Sequence, residues 1–335
     1  MAKRPKKAPA EDTGLLAALK FISVAQHDVG TVYQTHCRFT PMNDTNYVVA
    51  FDGILAAGHP VQEEIPICPH THRLINALER VAGAVSMTAL DTKQLVIKSD
   101  KFRAVVSCLG DGDLTYTWPD PPQWPLNDAF KVAANVASIF NTEGGQTVMA
   151  ASIVTRDQSL IGTTGQVVIE AWHGVPMPPG LIIPVSFVKA LNKVTKPITR
   201  FGFSEGSLTV FFEGDAWLKT QLYQEQYPNV DKVLAYTETA KPVPLAKDVL
   251  EGVKAVQSFA ETPQVWLGGG KVHSHNDPDQ GACYEAKNAV ASVSINSKHL
   301  LALADIITQI DYTGNEIVIP FFGDKVRGAF ARYRD

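Results

Sequence analysis

The chain has 335 residues, of which 45% are hydrophobic and 19% are charged, and its formal net charge is -4. This is the composition of an ordinary soluble globular protein, with enough length for two or three domains. It excludes helical membrane spans, because no apolar run approaches the roughly 20 residues that a span requires. It also argues against a protein that is basic overall, as many groove-binding DNA proteins are.

The N-terminus and the cysteines indicate an intracellular protein. Residues 1–12 contain Lys3, Arg4, Lys6 and Lys7 but no apolar segment behind them, so they predict a disordered basic tail rather than a secretory signal. The four cysteines are scattered, without a CxxC pair. This spacing argues against a structural zinc site and a disulfide framework, and it favours a reducing cytosolic compartment.

The first part of the chain, residues 13–125, predicts one domain. A helix over 15–24 is followed by strands over 33–39 and 46–56, and then by a strand, a helix and a hairpin within 64–109. Four prolines fall within residues 118–125. Because proline removes a backbone donor and fixes φ, this segment predicts a linker or an edge connection.

The next two parts of the chain repeat this order. Residues 126–235 predict a helix over 126–140, strands over 147–155 and 159–172, a strand over 181–185 and a helix over 186–196. Strands over 200–204 and 207–213 follow, joined by a turn at Glu205-Gly206, and then a strand over 217–223. Residues 236–335 predict a helix over 245–256, strands over 264–272 and 282–286, and a last strand, helix and hairpin over 291–333.

The strand, helix and hairpin unit therefore occurs three times, with starting points roughly 110 to 120 residues apart, which suits a small domain. Runs of antiparallel strands with a few helices indicate the α+β class, with helices packed on one face of each sheet. The sequence predicts three tandem α+β domains, over residues 13–125, 126–235 and 236–335.

Two short segments give this repeat a family resemblance. The segment YPNVDKVL, residues 227–234, resembles the phenylalanine-proline-aspartate segment that ends the second domain of bacterial-type sliding clamps. The segment GTTGQVV, residues 162–168, resembles the alanine-threonine-aspartate-glycine-histidine-arginine-leucine segment of the same family. Together with the threefold repeat, they make the chain similar to a divergent DNA polymerase III β subunit, of cellular or phage origin.

The resemblance implies a function without catalysis. Two protomers would join head to tail into a ring of six clamp domains, with helices around a central hole that encircles duplex DNA. The ring would act as a processivity factor, tethering the replicative polymerase and the clamp loader through a short peptide motif. It needs no cofactor and no metal, and it would work in the cytoplasm or nucleoid of a bacterium, or as a virus-encoded factor.

Cations on the predicted helices fit this role, because Lys and Arg contacts to phosphates bind duplex DNA without reading its sequence. The alternative for each residue is an ordinary solvated helix position. The predicted channel residues are Lys20, Arg73, Arg80, Lys131, Lys189, Lys193, Lys196, Lys247, Lys254 and Lys298.

The resemblance also implies a pocket for a partner peptide. Gln166 and Val167 replace the family's histidine and arginine, and the C-terminus lacks the family's methionine-proline-methionine ending, so peptide preference is expected to differ. For Val168 and Val233 the alternative is a place in the core. The predicted pocket residues are Thr163, Gly165, Gln166, Val168, Pro228, Lys232, Val233, Phe330, Ala331 and Tyr333.

Two other functions remain open from the sequence. One is a clamp-like scaffold that binds proteins but does not encircle DNA. The other is a metal-dependent hydrolase, because His273, His275, Asp277 and Asp279 alternate as metal ligands can. The segment 68–72, Cys-Pro-His-Thr-His, also resembles part of a metal site, but it lies where a strand is predicted to turn into a helix.

Overall fold

The computed structural model describes residues 14–81, 83–114, 116–277, 279–313 and 316–333. The predicted disordered tail, residues 1–12, lies outside them. The chain divides into two compact units. Unit 1 comprises Met1–Asp128 and Ser186–Leu222, and unit 2 comprises Ala129–Val185 and Tyr223–Asp335. Within the described ranges, no helix has the length and apolar character needed to cross a membrane.

The helices are short and mostly amphipathic. In the helix that begins at Lys247, Val249, Val253 and Val256 are buried, whereas Lys247 and Lys254 are exposed, as a helical period of 3.6 residues requires. The α-helices are α1 Gly14–Ile22, α2 Val32–Thr35, α3 Thr71–Leu78, α4 Ala129–Ala137, α5 Val148–Ala151, α6 Val185–Lys193, α7 Asp231–Leu234, α8 Lys247–Val256 and α9 Ser297–Leu303.

The strands follow the predicted order in all three parts of the chain. The strands up to residue 163 are β1 Arg38–Met42, β2 Thr45–Phe51, β3 Leu55–Pro60, β4 Ile67–Pro69, β5 Ser86–Leu90, β6 Gln94–Ser99, β7 Phe102–Gly110, β8 Trp124–Pro125, β9 Ser152–Arg156 and β10 Ser159–Thr163. The later strands are β11 Val167–Trp172, β12 Ile182–Pro184, β13 Ile198–Ser204, β14 Ser207–Phe212, β15 Trp217–Gln221, β16 Val243–Pro244, β17 Gln264–Gly268, β18 Lys271–His273, β19 Cys283–Glu285, β20 Val293–Asn296, β21 Ile307–Ile310, β22 Val318–Gly323 and β23 Val326–Ala331.

Each unit contains one large and one small antiparallel sheet. In unit 1 the seven-stranded sheet has the order β1-β2-β3-β15-β14-β13-β8, and the four-stranded sheet has the order β4-β7-β6-β5. In unit 2 the eight-stranded sheet has the order β12-β9-β10-β11-β23-β22-β21-β16, and the four-stranded sheet has the order β19-β18-β17-β20. Helices pack on these sheets, α1 on β2 and β3, α4 on β10 and β11, and α8 on β18 and β19. The predicted α+β class is confirmed.

The large sheets join strands from different predicted domains. In unit 1, β3 pairs with β15 from Gly58↔Trp217 to Leu55↔Thr220. In unit 2, β11 pairs with β23, with Val168 opposite Ala329. Backbone groups at the edges of the predicted domains are thereby satisfied by the neighbouring domain. Because both sheets cross predicted boundaries, the division at 125 and 235 stays a prediction.

Several predicted strands are wrong in detail. The runs 46–56, 159–172 and 264–272 each form two strands, because Gly53 (φ +107), Gly165 (φ +84) and the pair Gly269–Gly270 (φ +59 and +79) place left-handed turns inside them. Residues 33–35 belong to α2, where Gln34 Oε1 accepts from the Thr31 amide at 3.1 Å. Residues 148–151 form α5, whose first turn is capped by Thr147.

Candidate functional site

An apolar cluster within unit 2 brings the two family-like segments together. Partly buried Val148, Tyr223, Tyr227 and Val233 pack against its buried part. Sites that anchor a short peptide are mostly apolar with a few polar groups at their margin, and this cluster has a matching composition. The buried residues of this cluster, called the apolar pocket below, are Val154, Ile161, Val168, Ile182, Val230 and Leu234.

The first segment reaches the apolar pocket through a tight turn between β10 and β11. The Thr163 hydroxyl donates to the Val167 carbonyl at 2.7 Å and accepts from the Gly165 amide at 3.1 Å. Gly165 adopts φ +84, a conformation that side chains with a Cβ rarely take. The turn therefore directs Val168, which is 6% exposed, into the cluster.

The second segment reaches the same place through α7. The Asn229 side chain accepts from the Asp231 amide at 2.8 Å, so it satisfies a backbone donor at the start of this helix. Val230 and Leu234, four residues apart, lie on the helix side that faces the cluster. Burial of Tyr227 raises the pKa of its phenol, so the ring stays neutral at physiological pH.

A chain of charged side chains ties α7 to the sheet beside the apolar pocket. Asp231 Oδ1 lies 3.0 Å from Arg156 Nη1, and the same nitrogen lies 3.9 Å from Glu170 Oε1. Arg327 Nε donates to Glu170 Oε2 at 2.8 Å. The Ser159 hydroxyl donates to Glu170 Oε1 at 2.7 Å. The Glu170 side chain is only 3% exposed, so these partners compensate the cost of burying its charge.

The predicted pocket residues divide into three groups: those in or beside the apolar pocket, those exposed at the surface, and two that lie elsewhere. Val168 and Val233 join the apolar pocket, and Thr163 shapes the turn beside it. A second group is exposed at the surface of the same two segments and of β23: Gly165, Gln166, Pro228, Lys232 and Ala331.

Two predicted pocket residues lie elsewhere. Phe330 is fully buried and stacks on Phe321, with ring centroids 5.6 Å apart. It pairs with Val167, and neighbouring strand residues point to opposite faces, so Phe330 and Val168 lie on different faces of the sheet. The Tyr333 hydroxyl accepts from Asn296 Nδ2 at 3.2 Å, at the start of α9.

Sequence reasoning missed several members of the apolar pocket, Tyr223 and Tyr227 among them. The i, i+4 spacing of Val230 and Leu234 was available as a helical signal, although α7 spans only four residues. Nothing in the sequence places Val154, Ile161 and Ile182 beside that helix, because the pairing of β9, β10 and β12 decides this contact.

Most predicted channel cations lie on helices that belong to the threefold repeat. Lys20 is on α1, Arg73 on α3, Lys131 on α4, Lys189 and Lys193 on α6, Lys247 and Lys254 on α8, and Lys298 on α9. All of these except the half-buried Lys131 are exposed. Lys20 also lies 3.3 Å from Glu79, and Lys247 lies 3.6 Å from Glu251.

Two of the predicted cations lie beyond their helices. The predicted helix over 186–196 ends at Lys193, because Pro197 follows closely and disfavours helical conformation before it. Lys196 Nζ lies 2.8 Å from His59 Nε2 and donates to the Glu213 carbonyl at 3.5 Å, so Lys196 does not lie on the exposed face of α6. Arg80 follows the end of α3 at Leu78.

The sequence motifs that suggested a metal do not converge. Asp277 accepts from the Asp279 amide and the Gln280 side chain, both at 3.0 Å, and His275 Nδ1 lies 2.9 Å from Ser274 Oγ. Among the described residues, no group of three or more His, Cys, Asp or Glu side chains is arranged to hold a metal ion. The cysteines are free thiols, and burial raises the pKa of Cys37 and of Cys68 to about 12.

Among the comparisons with known proteins, those with solved structures find matches, and these matches agree on the architecture. No protein-family model matches the sequence, and no curated protein sequence matches it. Solved structures do match. The β sliding clamp of C. crescentus superposes with a TM-score of 0.80 at 15% identity, over 97% of this chain and 98% of that one. The DNA polymerase III β subunit of Pseudomonas aeruginosa gives 0.77 at 12% identity, over 96% and 98%.

A third structure, the Helicobacter pylori β clamp bound to a DNA ligase peptide, gives a TM-score of 0.75 at 14% identity, over 96% of this chain and 98% of that one. The likeness therefore extends over nearly the full length of each protein. This chain has the fold of the bacterial DNA polymerase III β sliding clamps.

Proposed function

We propose that this protein is a DNA sliding clamp, a non-enzymatic processivity factor that encircles duplex DNA and tethers a polymerase. The observation that carries the proposal is the match to β clamps over 96–97% of this chain. A fold by itself is weak support for a function, because one fold can host many functions. Here the match also covers 98% of each of these two clamps.

The placement of charge supports the same function. Exposed cations recur on α1, α3, α6, α8 and α9, while the chain as a whole carries a net charge of -4. Cations on helices attract phosphates without fixed base contacts, which permits sliding, and acidic charge elsewhere discourages binding outside the channel. We propose that such a clamp acts in the bacterial cytoplasm or nucleoid. A virus-encoded factor would act in the same compartment.

The ring requires a stable dimer, and solution mass tests this first. Light scattering across a dilution series is expected to give a mass near twice 36.4 kDa. A monomer at every concentration would favour the scaffold alternative, which keeps the fold without the ring.

Topological binding gives the second test. The protein is incubated with nicked circular plasmid, and the complex is isolated by gel filtration in salt high enough to weaken direct phosphate contacts. A ring is expected to stay with the circle and to leave when a single-cut restriction enzyme makes the plasmid linear. Equal retention on circular and linear DNA would overturn the encircling mechanism.

We further propose that the apolar pocket of unit 2 accepts a short peptide from the polymerase or the clamp loader. The Helicobacter pylori clamp binds a DNA ligase peptide, and here Tyr223, Tyr227 and Val233 line a cluster of suitable chemistry. Exposed Gln166 and Lys232 stand at the margin, where they would select the polar residues of the peptide.

A fluorescent copy of that ligase peptide is a usable probe for this pocket. Its anisotropy is expected to rise on binding, and Val233→Asp, which puts a charge into the cluster, is expected to weaken binding at least tenfold, about 1.4 kcal/mol. Val243→Asp, at an exposed valine on β16, is the matched control. Unchanged affinity in Val233→Asp would place the peptide elsewhere.

A further inference from the structure

The wall of the apolar pocket that comes from residues 229–237 has little helical structure of its own. Its helix α7 comprises only Asp231–Leu234, and helices shorter than about 12 residues are marginally stable in water without tertiary contacts. Val230 and Leu234 pack into the cluster, but apolar contacts are not directional. The polar contacts at the two ends of α7 therefore decide where this wall stands over the sheet.

An ion pair ties the first end of α7 to β9. Asp231 Oδ1 lies 3.0 Å from Arg156 Nη1, and the two side chains are 61% and 42% exposed. Arg156 lies two residues after Val154, so both side chains are on the same face of the strand. The ion pair therefore lies on the pocket face of the sheet, where it can be altered without opening the core.

A hydrogen-bonded hydroxyl ties the other end of α7 to β23. The Thr237 hydroxyl donates to the Leu234 carbonyl at 2.6 Å and accepts from Arg327 Nη1 at 3.3 Å. The last carbonyls of a helix have no partner within the helix, so this hydroxyl satisfies one of them. Thr237 is only 7% exposed. Arg327 therefore holds the end of α7 through a single buried side chain.

Both ties end on the same carboxylate, that of Glu170. Arg327 Nε donates to Glu170 Oε2 at 2.8 Å, and Arg156 Nη1 lies 3.9 Å from Glu170 Oε1. Glu170 lies on β11, between β10 and β23, and its side chain is 3% exposed. Because the strands on both sides fix its backbone, this carboxylate gives both arginines a fixed point of attachment.

We infer that Arg156 and Arg327, anchored on Glu170, are positioning residues for the apolar pocket, which hold α7 in place for a partner peptide without contacting it. A wall that is already in place costs a ligand less ordering free energy than one that must be fixed on binding. All three residues lie outside the family-like segments 162–168 and 227–234. The inference rests on the proposed peptide binding, but its first test does not need the peptide.

The first test measures hydrogen exchange of α7 in the full-length protein without any peptide. The Val233 and Leu234 amides both donate to the Val230 carbonyl at 3.0 Å, so their exchange reports the opening of α7. Asp231→Asn is expected to speed exchange in residues 229–237 about three- to fivefold, which is the size of effect that one partly exposed ion pair provides. Asp231→Glu retains the charge and should restore slow exchange.

Thr237 tests the second tie in the same way, and the peptide then tests its consequence. Thr237→Val removes the hydroxyl and should speed exchange about fivefold, whereas Thr237→Ser retains it and should not. With the fluorescent ligase peptide, Asp231→Asn and Thr237→Val are each expected to weaken binding about three- to fivefold. Asp215→Asn, which breaks the 2.8 Å ion pair with Arg200 in unit 1, is the matched control and should resemble the parent in both assays.

A double variant separates the ion pair from other roles of Asp231. If Asp231 acts through Arg156, Asp231→Asn should change neither exchange nor affinity further when Arg156→Gln is already present. A full effect in that background would overturn the ion-pair tie, because Asp231 would then act on the helix dipole or on the peptide directly.

Parent-like exchange in both Asp231→Asn and Thr237→Val would overturn the inference, and so would faster exchange with unchanged peptide affinity. A parent protein that binds no peptide would instead contradict the proposed pocket, while the exchange data would still decide whether the two ties hold α7. The inference and the proposed peptide binding therefore fail separately.

Discussion

Arg327 Nε donates to Glu170 Oε2 at 2.8 Å, and the Arg327 guanidinium lies over the Trp172 ring, 5.2 Å from its centroid. The hydrogen bond joins β11 to β23, the two strands that connect residues of predicted domains two and three. Arg327 also donates to the Thr237 hydroxyl at 3.3 Å, next to the turn that follows α7. One arginine therefore links the central strands of the eight-stranded sheet to the segment that carries Val230 and Leu234 of the apolar pocket.

This arrangement predicts that Glu170→Gln destabilises the protein by about 3 kcal/mol, because it leaves Arg327 with a neutral partner in a largely buried place. Urea unfolding monitored by circular dichroism measures the change. Glu261→Gln, at an exposed position, is the control and is expected to stay within about 0.5 kcal/mol of the parent. A loss that is equally small in Glu170→Gln would show that the network contributes little to stability.

Replacing Lys189 and Lys193 together with Gln is expected to weaken binding to linear duplex DNA without changing the urea midpoint. Both side chains are exposed on α6. If each side chain contacts one phosphate, the slope of log K against log salt concentration should become less negative by about 2, since each contact contributes about −0.9 to it. Binding is measured by anisotropy over a range of KCl concentrations.

The matched control for this pair is Lys98→Gln with Lys101→Gln, exposed lysines at β6 and the turn after it. It makes the same change of net charge outside the predicted channel helices. An equal loss of slope in both double variants would mean that DNA responds to total charge, and the channel assignment of α6 would then be wrong.

Gly162→Ala is expected to destabilise the protein by about 3 kcal/mol through overpacking. A Cβ at this position would lie 1.8 Å from the Ala137 carbonyl oxygen, so α4 would have to move away from β10. Gly206→Ala makes the same change where no atom lies within 4 Å, and its stability should remain close to that of the parent. Thermal unfolding of both variants separates the steric clash, which only Gly162→Ala introduces, from the loss of backbone freedom, which both variants share.

Because His173 is buried, the folded protein is expected to lose stability on acidification. Burial lowers the pKa of this imidazole to about 4 in the folded protein, whereas the unfolded chain has the ordinary value of about 6.5. Below pH 6.5 the unfolded state therefore binds a proton that the folded state rejects, so stability falls as pH decreases and levels off near pH 4. The contribution of this one group over that range is about 3 kcal/mol.

His173→Asn tests this contribution, because Asn retains an acceptor for the Val175 amide, which donates to His173 Nδ1 at 3.3 Å. The variant should lose less stability than the parent between pH 6.5 and pH 4 in urea titrations. His27→Asn, at an exposed histidine, should follow the parent. A parent-like pH dependence in His173→Asn would assign the acid sensitivity to other groups.

Local sequence patterns are enough to predict the class of this fold and the order of its elements. Amphipathic spacing such as that of Val249, Val253 and Val256 predicts α8, and the Glu205-Gly206 turn predicts the hairpin of β13 and β14 correctly. These features depend on neighbours within a few residues, so periodicity and turn chemistry are enough to find them. The threefold repeat of that order, together with the segments 162–168 and 227–234, then gave the resemblance to the sliding clamps.

The pairing of strands that are far apart in the chain, and the grouping of side chains into one site, are visible in the folded structure and not in the sequence pattern. The pairing of β11 with β23 places Val168 in the apolar pocket but turns Phe330 to the other face. The same kind of pairing sets Trp266 beside His273 and Ser294. Strand register and partner choice depend on contacts between residues far apart in the chain, and a shift by one residue would exchange the two faces.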